Sequence, residues 1–378
     1  MANQMHYIDV DGHILEPHGL WEEYVEPEYR ERTLKIKEDE KGLEYLSIDG
    51  TPSWFARGGM LGAMGAIGQD THPFLEPGKI KWEDALIPGG YDPHVRVKVM
   101  DEERIDKTLV YPSLGLVWEA ECLDPKLAAA NCRGYNNWVF DFCGPYPDRL
   151  IAVAHIPTLD IEEGVRELRR AAKRGAKAAM LSGTTPNRLP YGSSYFDPLW
   201  AEAQDLDIPI TIHPAGGPTS ISSHLYPRQE DLTTWWVFVY EADEVKMQFT
   251  TFFNEGTFER FPNLKVVVLE SGIGWLVPWI DRMDDKFDVN GFTTPMKMRP
   301  SEYFQRNCWI AMDPDDRMAR FSIEELGSDR FLWAYDYPHS DSVTDPIRKL
   351  EENLAPLPED DQRKVSGANA LELYHLAP

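Results

Sequence analysis

Basic residues and cysteines are scarce in this chain of 378 residues. Its 38 Lys plus Arg face 63 Asp plus Glu, a formal net charge of −25. A polyanion of that size is repelled by phosphate backbones and anionic lipid, so neither nucleic acid nor a membrane surface is an expected partner. Cys122, Cys132, Cys143 and Cys308 are the only cysteines and show no C-x-x-C spacing, which makes a reduced, cytoplasmic protein the simplest reading. No uncharged apolar run approaches the roughly 18 residues of a membrane span, and the N-terminus lacks a basic stretch followed by an apolar one. No G-x-G-x-x-G follows a candidate strand and no G-x-x-x-x-G-K-[ST] occurs, so the glycine-rich phosphate cradles of nucleotide-binding sheets are missing. Internal repeats and low-complexity tracts are absent as well.

What is present is a series of short β-branched runs, each followed by helical periodicity. The runs span 7–13, 108–114, 150–157, 176–183, 208–214, 264–272, 308–314 and 331–339. Most are continuously apolar, as strands covered on both faces of a parallel sheet are. Between them DPKLAAANCRGYNNWVFDFC, DIEEGVRELRRAAKRG, FDPLWAEAQDLD and WLVPWIDRMDDKF read as helices. Asp160 is placed to cap the second and Gly175 to stop it. Eight β/α units predict an α/β fold, a (β/α)8 TIM barrel making one domain over 1–378. Residues 14–93 exceed what a barrel needs after its first strand. They contain a hairpin turning at Lys41 and Gly42 and a glycine-rich stretch, and are read as a lid-like insertion or, equally, as a packing or homo-oligomer contact. A second extension, 215–240, leads into a helical pattern running to about Phe261.

In a barrel of this kind the C-terminal strand ends form the active-site mouth. Those ends carry Asp11, His13, Ser113, His155, Ser182, His213, Glu270, Asp313 and Asp336, a set rich in metal ligands and bases. Asp11 and His13 are two apart, so on a strand both side chains share a face. His213 closes ITIHPAGG, where Pro214, Gly216 and Gly217 are expected to turn the chain sharply. Asp336 sits among Trp333, Ala334, Tyr335 and Tyr337, where an acid without a cation or donors would be costly. These four make a mixed nitrogen and oxygen set that suits zinc, manganese or iron, as one or two ions, better than calcium or magnesium. Glu270 is a further ligand, a bridge to a second ion, or an acid/base. His155, His224, Trp235 and His339 lie in or near the mouth as substrate-binding or packing groups, and Arg228 is a candidate clamp for a substrate carboxylate.

DVDGHILEP, TIHPAGG, FERFPNLKVVVLESGIGWLVPWIDRMD, DRFLWAYDYPHSDS and GANALELY together resemble the amidohydrolase superfamily. The nearest likeness is the branch that includes enzymes of the aminocarboxymuconate-semialdehyde decarboxylase type. The resemblance implies a metal at the barrel mouth, with the first-strand H-x-H falling on Asp11 and His13, the fifth-strand histidine on His213 and the eighth-strand aspartate on Asp336. The sixth-strand histidine of the decarboxylases falls on Glu270, a departure from that pattern. The expected activity is metal-dependent hydrolysis of a small-molecule amide, ester, thioester or lactone, with Asp336, Glu270 and His213 taking part in catalysis. Non-oxidative decarboxylation or hydration of an aromatic or unsaturated acid is the alternative, and a non-catalytic ligand-binding barrel the second.

Overall fold

Each of the eight apolar runs contains a strand in the computed structural model, which describes residues 5–58, 60–69, 80–220, 225 and 234–378. In chain order the strands are β1 (Ile8–His13), β2 (Lys35–Glu38), β3 (Glu44–Ile48), β4 (Thr51–Pro52), β5 (Lys107–Tyr111), β6 (Leu150–His155), β7 (Ala178–Ser182), β8 (Ile210–His213), β9 (Val266–Val268), β10 (Cys308–Met312) and β11 (Phe331–Trp333). Eight of them close into a parallel barrel in the order β1-β11-β10-β9-β8-β7-β6-β5. Every barrel strand is buried along its length, because inward side chains fill the barrel and helices cover its outside. That double cover is why the runs read as continuous rather than alternating.

The covering helices follow their sequence signals. Asp124 and Asp160 each accept two backbone N–H groups at the start of Pro125–Cys143 and Ile161–Lys173. Gly175, at φ 98°, ends the second in the left-handed region that glycine adopts without strain. The pattern expected to run to about Phe261 is two helices, Thr234–Asn254 and Thr257–Arg260, parted at Gly256 with φ 68°. No helix among the described residues is long and apolar enough to cross a membrane.

The insertion after β1 folds its hairpin as expected. β2 and β3 pair antiparallel from Lys35↔Ser47 to Glu38↔Glu44, and β4 adds a third strand. The sheet is tied to the loop after β5 by Glu121, whose carboxylate accepts from Ser53 Oγ at 2.6 Å and from the Trp54 and Phe55 N–H groups. Phe55 in turn seats against Gly216, where any Cβ would collide with its ring. Gly216 and Gly217 keep negative φ, so room for Phe55 and Ala120, rather than a sharp left-handed turn, is what requires glycine there.

All the barrel strands but β1 stop short of their expected ends, β9 and β11 by the most. β9 ends at Val268, two residues before Glu270, and β11 at Trp333, three before Asp336. The apolar character continues beyond them because Leu269, Ala334, Tyr335 and Tyr337 remain buried in the loops. Glu270 at φ 41° and Asp336 at φ 58° lie in left-handed backbone, which turns both carboxylates back over the mouth at a cost in local strain.

Candidate metal centre

β1 carries the first two groups of the centre. Its pairing with β5 shifts between Asp9 and Gly12, a bulge that puts Asp9 and Gly12 on the face covered by Arg96. A Cβ at Gly12 would run into Thr108, Arg96 and Asp9, so only glycine fits. Asp9 holds the bulge by accepting from Thr108 Oγ1 at 2.6 Å, Tyr335 N at 2.9 Å and Asp11 N at 3.1 Å. Arg96 is buried, donates to the His13 carbonyl at 2.8 Å and stacks 4.3 Å from the Tyr337 ring centroid. It thereby latches β1 to the loop that carries Asp336.

Asp11, His13, His213 and Glu270 each present one ligand atom, all within 4.8 Å of one another. His13 Nε2 lies 3.5 Å from Asp11 Oδ1, 3.4 Å from His213 Nε2 and 2.9 Å from Asp336 Oδ1. His213 Nε2 lies 3.6 Å from Asp11 Oδ2 and 3.0 Å from Glu270 Oε2. Ligands bonded to an ion at about 2.1 Å stand about 3.0–3.4 Å apart at right or tetrahedral angles; the histidine contacts to His213 and Glu270 fall in that range and those to Asp11 lie just beyond it.

The tautomers fit the same use. His13 Nδ1 is 2.7 Å from the Pro112 carbonyl and His213 Nδ1 is 2.8 Å from that of Pro214. A carbonyl only accepts, so each Nδ1 carries the hydrogen and each Nε2 turns a lone pair inward, as metal-binding histidines are oriented. Two such lone pairs facing each other repel unless a cation stands between them. Asp11 has both oxygens buried without a hydrogen-bond partner, an arrangement costing several kcal/mol unless an ion pairs it. The described residues therefore fit a divalent cation.

Without the ion, protons take its place. Burial raises Asp11 well above the usual carboxylate range, with Glu270, Asp336 and Asp9 adding to it. Burial opposes charge on His213, but Asp11 and Glu270 outweigh it and lift the imidazole to about 10. Burial lowers His13 to about 3, assisted by the charge of His339.

Asp336 and His339 form a second layer. Asp336 Oδ1 is 3.0 Å from His339 Nδ1, while His339 Nε2 is 2.7 Å from Ser113 Oγ. Ser113 gives its own hydrogen to the Ile14 carbonyl at 2.6 Å, so Nε2 must be the donor to it. Burial works against a charge on both residues, yet each holds the other ionised: His339 and His13 keep Asp336 below the usual range, and Asp336 lifts His339 to about 9.

Other expected residues fall elsewhere. His155 is paired with Glu119 at 3.0 Å and packs on Trp118 and Tyr135, none of them in the metal-ligating group. Ser182 turns to the Thr184 carbonyl. Asp313 follows β10 at the exposed rim, beside the cluster rather than in its ligand group: partial burial, then the charges of Asp316, Asp336 and Glu270, lift it to about 7. His224 and Arg228 lie outside the described residues; Trp235 lies in Thr234–Asn254, with its side chain outside the described set. Three groups of this region carry no sequence signal that singled them out. Arg96 is a lone charge in ordinary surroundings, and Glu16, which accepts the N–H groups of Ser113, Leu114 and Gly115, lies in DVDGHILEP but past the strand end. Asp341, which approaches Glu270, Asp336 and His339, lies within DRFLWAYDYPHSDS but beyond its apolar part, between two serines.

Comparison with known proteins places this geometry in context. The amidohydrolase family model matches residues 8–376. The γ-resorcylate decarboxylase of Rhodococcus jostii (strain RHA1) is 26% identical over 341 residues, covering 82% of this chain and 99% of that protein. Among solved structures, amidohydrolase map2389c of Mycobacterium avium subsp. paratuberculosis K-10 superposes with a TM-score of 0.80 at 22% identity, over 98% of this chain and 99% of that one. A dihydroxybenzoic acid decarboxylase of Polaromonas sp. JS666, solved with manganese and the inhibitor 2-nitroresorcinol, gives 0.68 at 20% identity, over 99% and 98%.

Proposed function

Since the chain belongs to the amidohydrolase family, and is an enzyme of that superfamily, we propose that it removes carbon dioxide from an aromatic or unsaturated carboxylic acid without oxidation. The observation that carries this reading is the likeness to γ-resorcylate decarboxylase over 82% of this chain and 99% of that protein, joined to a site whose donors fit a divalent ion. The same likeness favours decarboxylation over the hydrolysis that the sequence first suggested.

Asp11, His13, His213 and Glu270 would hold the ion, and the manganese in the Polaromonas structure makes Mn2+ the first metal to try. Bound there, a divalent ion supplies a Lewis acid for oxygens of an anionic substrate. The chain's own work is to place the acid and to replace carbon dioxide by a proton. The bond from ring carbon to carboxylate breaks, its electron pair stays on the carbon, and a proton must arrive at that carbon. Asp336 and His339 hold one proton between them at the rim of the ligand set, which makes this pair the carrier. The Nε2 hydrogen of His339 stays committed to Ser113, so the shared proton sits on the Nδ1 side facing the mouth cluster.

The test is to incubate the Mn2+-loaded enzyme with ortho-hydroxybenzoates, γ-resorcylate among them, in D2O. Carbon dioxide release with one deuterium at the vacated carbon is expected. Turnover of esters or lactones with no carbon dioxide from any acid would return the assignment to hydrolysis.

A further inference from the structure

At the end of the barrel opposite the metal centre, where the strands begin, lies a cavity of about 270 Å3. The starts of β5 and β6, the turn before β7, the end of helix Pro125–Cys143 and the chain after Tyr374 wall it. In a chain with a net charge of −25 its polar wall is basic: Lys107, Arg174 and Lys177 face Asp148, the one acid among its described lining residues. Arg96 and Lys107 are the buried Lys and Arg residues among those described. Arg96 has the charge of Asp9 beside it, whereas Lys107 forms no ion pair with a described carboxylate. Its ammonium gives one hydrogen to the Asp148 carbonyl at 2.7 Å, which leaves two without a described partner. Half-buried Lys177 reaches only the His375 carbonyl, at 3.4 Å. Asp148 and His375 line the cavity themselves, so both ammonium groups stand in its wall. Arg174 lies at the rim, 4.4 Å over the Phe140 ring, with Asp141 at 3.5 Å. The negative end of a helix attracts cations, but neither lysine bonds a carbonyl of Pro125–Cys143. A buried ammonium with one carbonyl and no counter-ion is costly, and an anion in the cavity removes that cost.

We propose that this cavity binds the phosphate group of a small organic monoester, with its oxygens on Lys107 and Lys177 and Arg174 at the rim. Three cations against one acid leave two positive charges, which a monoester of about −1.5 to −2 at neutral pH matches. Phe140, Ile151 and Leu376 supply an apolar wall for the body of the ligand. The volume lies near the lower bound of about 300 Å3 for small-molecule pockets, which suits one ring rather than a large cofactor. The length of β5 separates this site from the metal centre, since Lys107 opens the strand and Tyr111, beside His13, closes it.

Calorimetric titration of the metal-free protein with phenyl phosphate tests this, with inorganic phosphate as a second probe and sodium chloride of equal ionic strength as the blank. One phenyl phosphate per chain is expected, and weaker binding of inorganic phosphate, which lacks the apolar contacts. Lys107→Met should abolish binding. Lys177→Gln, a change near the surface, should weaken it about tenfold or more, the worth of a hydrogen bond to a charged group. If Lys107→Met fails to fold, Lys177→Gln decides alone. No binding at millimolar phenyl phosphate, or binding that Lys177→Gln leaves intact, overturns the site. Phenyl phosphate held no more tightly than inorganic phosphate overturns the organic monoester as its ligand.

Discussion

Protons and metal ions compete for the same lone pairs at the mouth of this barrel. In the metal-free protein His213 keeps a proton up to about pH 10, whereas His13, lowered to about 3, is already neutral near pH 7. A nitrogen must lose its proton to bind an ion, so Mn2+ uptake between pH 7 and 9 should release protons. Affinity should then climb about tenfold per pH unit for each proton displaced. Calorimetry in buffers of differing ionisation enthalpy measures the release; binding without it would contradict the assignment of His213. Substituting His213→Ala should abolish tight metal binding while circular dichroism stays unchanged, since the apolar interior of the barrel lies below the site. By contrast, Asp336→Asn should keep the ion and lower turnover about 100- to 10,000-fold, the usual worth of a positioned acid. At this scale the sequence was legible where a group closes or shortly follows an apolar run within a motif, as Asp11, His13, His213, Glu270, Asp336 and His339 do. Arg96, Glu16 and Asp341 were not: Arg96 lies in no motif, and Glu16 and Asp341 lie within motifs but past the apolar runs, where a charge looks the same whether it is solvated or buried. His155 stands at a strand end too, yet it turns to Glu119 and packing aromatics, a choice that depends on neighbours distant in sequence.

Elements set the aim of these groups. The bulge in β1 lets Asp9 anchor one face while Asp11 and His13 turn to the mouth, and Gly12 is the residue that lets Arg96 close over it. Gly12→Ala should cost about 1–3 kcal/mol, the range for overpacking a tight interior, and weaken metal binding in parallel. Denaturant melts and metal titration of the same variant check both; an unchanged stability would show that the bulge tolerates a side chain. All eight barrel strands could be read from apolar runs, and the hairpin of the insertion from its alternation and turn. The ends of β9 and β11 could not, because buried loop residues prolong the apolar signal past the last ladder bond. The left-handed residues Glu270 and Asp336 have no signature of their own, since strain there is imposed by the surrounding fold.

For the whole molecule, the closed barrel brings strands distant in sequence to one rim, and the excess of acid acquires a partial purpose. Four of the 63 acidic residues gather where a cation is proposed to bind. Repulsion among them is relieved by an ion that the unfolded chain cannot hold as well. Mn2+ at 100 times its dissociation constant should therefore stabilise the fold by about 2.7 kcal/mol, seen as a higher melting temperature that chelator reverses. A melting temperature indifferent to metal would mean that the acids are accommodated some other way. The most direct measurement is anomalous diffraction from crystals of the Mn2+-loaded protein, collected at the manganese edge. The account predicts a peak bonded to Asp11, His13, His213 and Glu270. A map with no peak among these residues, or with manganese held only by other groups, would contradict it.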